Sequence, residues 1–192
     1  MFRMIPGVGT IIAAVDIVGD LQAEHRLDWR EITAVNVGLR PYAVGHGVEI
    51  THTTDAVTAD FSLAFSVALR LTTGASAPEH DVEPATWADP DVLAATELVK
   101  AYPHEFGDDA PLLCARVEIE TKDGRVLSGA QPSFQGSPQV PTSPERIVRK
   151  FRSNVAGQLP DADADALLAV VDRLETVAHI GELTRLLAAR AG

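Results

Sequence analysis

Acid–base or metal chemistry would first be sought among the six histidines, His25, His46, His52, His80, His104 and His179. No two of them stand four apart, as a helical metal site requires, and none neighbours a cysteine. The spacing therefore supports no metal site. His46 and His52 flank the segment Val48-Glu49-Ile50-Thr51-His52, which reads as a short strand. Across that strand the two imidazoles share a cleft with Asp55, or else they are exposed loop histidines. On the first alternative they are the candidate binding residues for a small ligand. His104, in Tyr102-Pro103-His104-Glu105, reads as loop surface. Gly7-Val8-Gly9 has no strand before it and is too short for a dinucleotide loop. Ser62 lacks the flanking glycines of a nucleophile elbow and reads as a small packing residue. Lys150 falls on the polar face of a helix. Cys114, the single cysteine, lies in the apolar run Leu112-Leu113-Cys114 and reads as a buried, inert thiol.

The elements that must position these groups alternate between helix and strand. Thr10 to about His25 is a predicted amphipathic helix, with Ile11, Ile12, Val15, Val18 and Leu21 on one stripe. Ile32 to Leu39 alternates apolar and polar residues with period two, which is the pattern of a half-buried strand. Asp55 to Leu71 reads as one helix ending at Gly74. Ala75 to Pro90 is rich in Pro and Ala and reads as an exposed loop. Asp89-Pro90 opens a helix whose apolar face is Val92, Leu93, Ala95 and Leu98. Cys114 to Thr121 and Arg125 to Ala130 are alternating strands, and the Asp123-Gly124 pair between them signals a two-residue hairpin turn. Gln131 to Thr142 is irregular. Ser143-Pro144 starts a helix with Ile147, Val148, Phe151 and Val155 on its apolar face. Asp161 to Leu174 and Ile180 to Ala189 are two further helices. The fold class is α+β: a two-layer arrangement of a small, mostly antiparallel sheet with helices, plus C-terminal helices.

Composition excludes whole classes of function. A chain of 192 residues with 46% hydrophobic and 22% charged residues is that of a globular domain with an ordinary core. Its net charge of -11 repels phosphate backbones, so no nucleic-acid partner is expected. The same charge repels small carboxylates unless a local basic group overrides it. No run approaches 18 apolar residues, so no membrane span is expected. The first residues lack a basic region ahead of an apolar core, and the reading is a cytoplasmic protein.

Several segments, in order, resemble the MmgE/PrpD family. Arg3-Met4-Ile5-Pro6-Gly7-Val8 is similar to a family loop of the form Lys-x-Tyr/Phe-Pro-x-Cys/His. Leu21 to Val37 resembles the stretch leading through the family's first strand. Ala59-Asp60-Phe61-Ser62-Leu63-Ala64-Phe65-Ser66-Val67-Ala68, ending at Gly74, resembles Ala-x-Phe-Ser-x-x-Tyr-x-x-Ala. The Asp123-Gly124 turn and Pro141-Thr142-Ser143 followed by Lys150-Phe151 match two further pieces. The resemblance implies that residues 1–192 form one C-terminal lid domain of a two-domain enzyme. Such enzymes include 2-methylcitrate dehydratase, cis-aconitate decarboxylase and iminodisuccinate epimerase.

In the family the site lies between this lid and an all-helical N-terminal domain. The resemblance puts Arg3 at the family lysine and Phe65 at the family tyrosine, and it makes these the catalytic positions. Arg3 can clamp a carboxylate bidentately but stays protonated, so it cannot act as a general base. Val8 replaces a histidine of one family branch and carries no proton. Phe65 keeps the ring and loses the hydroxyl. The implied function is that of a lyase or isomerase lid acting on small polycarboxylates, with Arg3, His46 and His52 binding substrate. No cofactor is expected, and this chain alone is expected to be inactive. A separate helical subunit or a homodimer would complete it. The alternative is a non-catalytic member serving as a dimerisation or small-ligand-binding module. If the matches were accidental, nothing would require the first strand to lie beside the Asp123-Gly124 hairpin.

Overall fold

The computed structural model describes residues 1–74 and 83–188. His80 therefore falls outside the described residues, as does the first half of the loop expected from Ala75 to Pro90. The chain forms two compact units, Met1–Thr142 and Ser143–Gly192.

The first unit is built on a four-stranded sheet of β1 (Ile32–Leu39), β2 (Val99–Pro103), β3 (Ala115–Thr121) and β4 (Val126–Gln131), in the order β2-β1-β3-β4. β1 runs parallel to β2 and antiparallel to β3, and β3 runs antiparallel to β4. The first strand does lie beside the hairpin. Val37 pairs with Ala101 on one side and Val117 on the other, so alternate residues of all strands share a face. Val35, Val37, Leu39, Ala115, Val117 and Ile119 are fully buried and form the inner face. Asn36, Arg116, Glu118 and Glu120 occupy the outer face, where Asn36 donates to Glu120 at 2.9 Å and Arg116 to Glu118 at 2.8 Å. The arrangement is the expected α+β one.

Helix α1 (Gly9–His25) packs on the inner face and is in turn packed by α4 (Leu63–Thr73). The sequence suggests a single apolar stripe, but Ala13, Ala14 and Ile17 on the other sides are buried as well. A helix packed by the sheet on one side and by α4 on another buries most of its circumference, and Asp16 and Asp20 lie on the remainder. Small residues make that enclosure possible. Gly129 of β4 lies against Ile17, where a Cβ would come 2.7 Å from its Cγ2. Each fully buried Ile, Leu or Val contributes about 1.5–3 kcal/mol of apolar transfer. Asp16 and Asp20 tie the end of β4 and the segment after it to α1, accepting from the Gln135 N–H at 2.8 Å and the Gln131 side chain at 3.0 Å.

Four local expectations are corrected. Val48 to His52 is not a strand. Among the described residues it has no partner strand, and the Ile50 carbonyl accepts from the Ser62 hydroxyl instead. The helix expected from Asp55 to Leu71 is two helices, α3 (Ala56–Phe61) and α4, parted at Ser62, whose backbone is extended at φ -75 and ψ 112. Gly74 ends α4 in the left-handed conformation, as the sequence suggested. Residues 99–103, after α6 (Pro90–Thr96), form a strand that the reading did not foresee. The hairpin loop has three residues, because the Thr121 N–H reaches the Arg125 carbonyl. Gly124 alone takes positive φ there, at 83°, whereas a two-residue type I′ turn needs Asp123 positive too. Within the stretch read as loop, α5 (Pro84–Trp87) is a single turn of helix. The remaining short helix of this unit, α2, spans Pro41–Val44.

The second unit comprises α7 (Pro144–Val155), α8 (Asp161–Asp172) and α9 (Gly181–Leu187). Ser143 caps α7 and Pro144 occupies its first turn, as expected. Ala164, Leu167 and Val170 of α8 are its buried residues. Arg152 pairs with Asp165 at 2.6 Å, and Arg173 with Glu182 at 2.9 Å. Lys150 is half-buried, and burial lowers its pKa from the usual lysine value.

Candidate functional site

Two loops are tied to the break between α3 and α4. The first is the N-terminal segment. The Phe2 N–H donates to the Gly136 carbonyl at 2.8 Å, and the Val8 N–H to the Asp60 carbonyl at 2.9 Å. Between these anchors, Gly7 takes φ 117°, a conformation that L side chains rarely adopt. The Arg3 guanidinium folds back and donates to the Gly7 carbonyl at 3.1 Å. That bond holds its Nη2 beside Gly9, at the start of α1.

The second loop runs from Gly45 to His52. Gly47, at φ 87°, lies directly against the Phe61 backbone. The Ser62 hydroxyl donates to the Ile50 carbonyl at 2.6 Å and accepts from the Phe65 N–H at 3.1 Å. Ser62 is fully buried. One side chain thus caps α4 and holds the loop that carries the histidines. The resemblance named this serine, but the residue-level reading gave it a packing role. The hydrogen bond to Ile50, twelve residues away, carried no signal in the sequence.

The candidate side chains divide between surface and core. Arg3, His46 and His52 are exposed, on the two loops tied to Asp60, Phe61 and Ser62. The His46 ring meets the Tyr42 ring edge-on at 6.1 Å. His52 lines an open groove of about 390 Å³ with Thr51 and, from α6 and its C-terminal end, Leu93, Ala94, Thr96 and Glu97. The Asp55 carboxylate is committed elsewhere. It caps α3 by accepting from the Thr58 N–H at 2.8 Å, and that bond holds its pKa below the usual carboxylate range. Phe65 is 3% exposed and packs with Ala59, Ala68, Leu69, Val92 and Ala95. Its ring belongs to a core cluster, against which Trp29 and Trp87 pack.

The strand ends near this region are held by polar clamps that the reading did not single out. Arg40, just past β1, donates to the carbonyls of Pro111, Gly107 and Ala110. The Tyr42 hydroxyl donates to the Leu112 carbonyl at 2.6 Å, and burial raises its pKa. His104 sits edge-on between Tyr102 and Phe106, with ring centres at 5.9 and 4.6 Å. Cys114 is buried, as expected. Among the described residues, no group of three His, Cys, Asp or Glu side chains is placed to hold a metal ion. No helix among them is long and apolar enough to cross a membrane. Chemically, the exposed loops carry a guanidinium and two imidazoles, while the Phe65 ring offers packing alone.

A profile of the MmgE/PrpD C-terminal domain matches residues 6–176. The chain belongs to the MmgE/PrpD family. It is also similar to cis-aconitate decarboxylase of Mus musculus, at 33% identity over 95 residues, which is 47% of this chain. The matched stretch spans 20% of that relative's length.

Proposed function

We propose that this chain is the lid-type part of a lyase or isomerase acting on small polycarboxylates, in the manner of a 2-methylcitrate dehydratase. The family match across residues 6–176 carries this reading. The similarity to a cis-aconitate decarboxylase agrees with a tricarboxylate-like substrate. In the proposal a helical partner domain, from a separate subunit, provides the opposite wall of the cleft and the general base. Arg3 neutralises a substrate carboxylate, and His46 and His52 border the mouth. A proton next to a carboxylate is removed only by a group that can accept one near neutral pH. Neither Arg3 nor Phe65 meets that condition. The test is turnover of 2-methylcitrate, cis-aconitate and iminodisuccinate by the chain with and without a co-expressed helical-domain subunit. Turnover only with the partner is expected, and inactivity of the pair on every such substrate overturns the reading.

The burial of Phe65 favours a second reading, a non-catalytic module that keeps the fold for dimerisation or for binding a small ligand. Substrate would then bind unchanged in the presence of the partner. Any turnover by the pair removes this alternative.

A further inference from the structure

The sheet of the first unit has two edges, β2 and β4, and the sequence treats them differently. The β2 edge carries devices that keep an edge strand single. Lys100 is exposed in mid-strand, and Pro103 closes the strand with no N–H to offer. The β4 edge carries neither. Val126-Leu127-Ser128-Gly129-Ala130-Gln131 holds no charged residue and no proline, and its register with β3 runs without a bulge.

The ladder fixes which backbone groups face outward. The Thr121 N–H donates to the Arg125 carbonyl, so Arg125 and, by alternation, Leu127, Gly129 and Gln131 turn their backbone groups toward β3. Val126, Ser128 and Ala130 turn theirs to the free edge. Among the described residues nothing pairs with those groups, and all three residues are exposed. A regular, uncharged edge with open backbone groups is a template for another strand.

We infer that the β4 edge is the seam of a homodimer, in which two copies pair antiparallel about Ser128 and their sheets become one. The strand is self-complementary in that register. Ser128 faces Ser128 of the second copy and Val126 faces its Ala130, so every outward N–H meets an outward carbonyl. A register centred on Gly129 would set Val126 against Pro132, which has no N–H to give. On the inner face Leu127 meets Gly129, a bulky side chain against none. Arg125 falls opposite Gln131 of the second copy, whose side chain is bonded to the exposed Asp20. The guanidinium, already 2.7 Å from Asp123, thereby gains a second carboxylate. Two chains of net charge -11 repel, and an uncharged strand flanked by an arginine is where they approach at least cost. The helical subunit of the proposed function has no strand to add, so the occupant is a second copy. The inference does not otherwise rest on that function.

The test is sedimentation of the full 192-residue chain from micromolar to millimolar concentration, with amide hydrogen exchange at both ends of the range. A seam six residues long is small against the roughly 1,600 Å² of a standard interface, so the dimer should dissociate on dilution. The mass should rise from 20.5 kDa to twice that value. The Val126, Ser128 and Ala130 amides should become protected as it does, whereas Leu127 and Gly129 are protected throughout. Ser128→Lys and Ser128→Glu each place like charges across the twofold and should weaken the dimer at least about tenfold, and mixing the two should restore it. Folding of each variant is checked by tryptophan fluorescence. If either fails to fold, the exchange pattern of the parent decides. The inference is overturned by a monomer at every concentration, or by a dimer whose Val126, Ser128 and Ala130 amides still exchange freely. It is also overturned if the folded Ser128→Lys chain dimerises as the parent does, or if the mixed folded variants stay monomeric. Protection that appears only when a helical-domain subunit is added overturns the assignment to a second copy.

Discussion

Replacing Ser62 with alanine tests the joint that holds the site's loops. The hydroxyl makes two bonds at once, capping α4 at Phe65 and holding the Ile50 carbonyl. Loss of the cap costs about 1 kcal/mol. Ile50 is half-buried, so its carbonyl regains some water, and losing its partner costs about 1–2 kcal/mol. The sum is about 2–3 kcal/mol, a large part of the roughly 5–15 kcal/mol that holds a domain together. Both tryptophans, Trp29 and Trp87, lie in the first unit and pack against the cluster that holds Phe65. Their fluorescence during urea unfolding therefore reports this unit alone. With an urea dependence of about 2 kcal/mol per molar, the midpoint should fall by about 1 M. Ser62→Thr retains the hydroxyl and should lose much less. A Ser62→Ala chain within about 0.5 kcal/mol of the parent would show that neither bond matters and refute the joint.

Three further perturbations have defined outcomes. Phe65→Tyr, which restores the family side chain, should lower stability by about 1–3 kcal/mol by placing a hydroxyl in an apolar cluster, measured by the same fluorescence; an unchanged midpoint means the ring has polar access. Gly136→Ala, at φ 92° and directly against the Phe2 carbonyl, should release the N-terminal segment and expose it to brief trypsin cleavage after Arg3, and equal protease resistance would show that this anchor is dispensable. Asp55→Ala should lower the melting temperature at neutral pH. The native pKa of Asp55 is depressed, so its contribution is complete above the ordinary aspartate value and is lost as pH falls through the lower native one. The gap to the parent should close on acidification, and a gap independent of pH contradicts the capping account.

What the sequence made legible was the local and periodic part. β1 appears with the bounds its alternation suggests, and β3 and β4 fall within a residue of theirs. β2 was missed although Val99 and Ala101 alternate with Lys100 and Tyr102. The run is short, follows a helix directly, and its parallel partner β1 is distant in sequence. Val48 to His52 alternates just as well and is no strand, because pairing needs a neighbour that periodicity cannot supply. The break at Ser62 was hidden for a similar reason. Serine sits at that point in an apolar helical run, and its bond to the Ile50 carbonyl, twelve residues away, accompanies the cap it gives α4. Of the site, the residue types were readable and their neighbours were not. The position of Arg3 depends on the Gly7 turn and on Asp60, fifty-odd residues along the chain.

The central claim is that this chain supplies one wall of a cleft and cannot by itself move a proton at a substrate carbon. Deuterium incorporation into 2-methylcitrate and cis-aconitate, followed by proton NMR, tests it most directly. The chain alone should give no exchange above buffer, and exchange should appear when a helical-domain subunit is added and fall sharply with Arg3→Gln in the pair. Exchange catalysed by the purified chain alone, and abolished by changing Arg3, His46 or His52, would contradict the account.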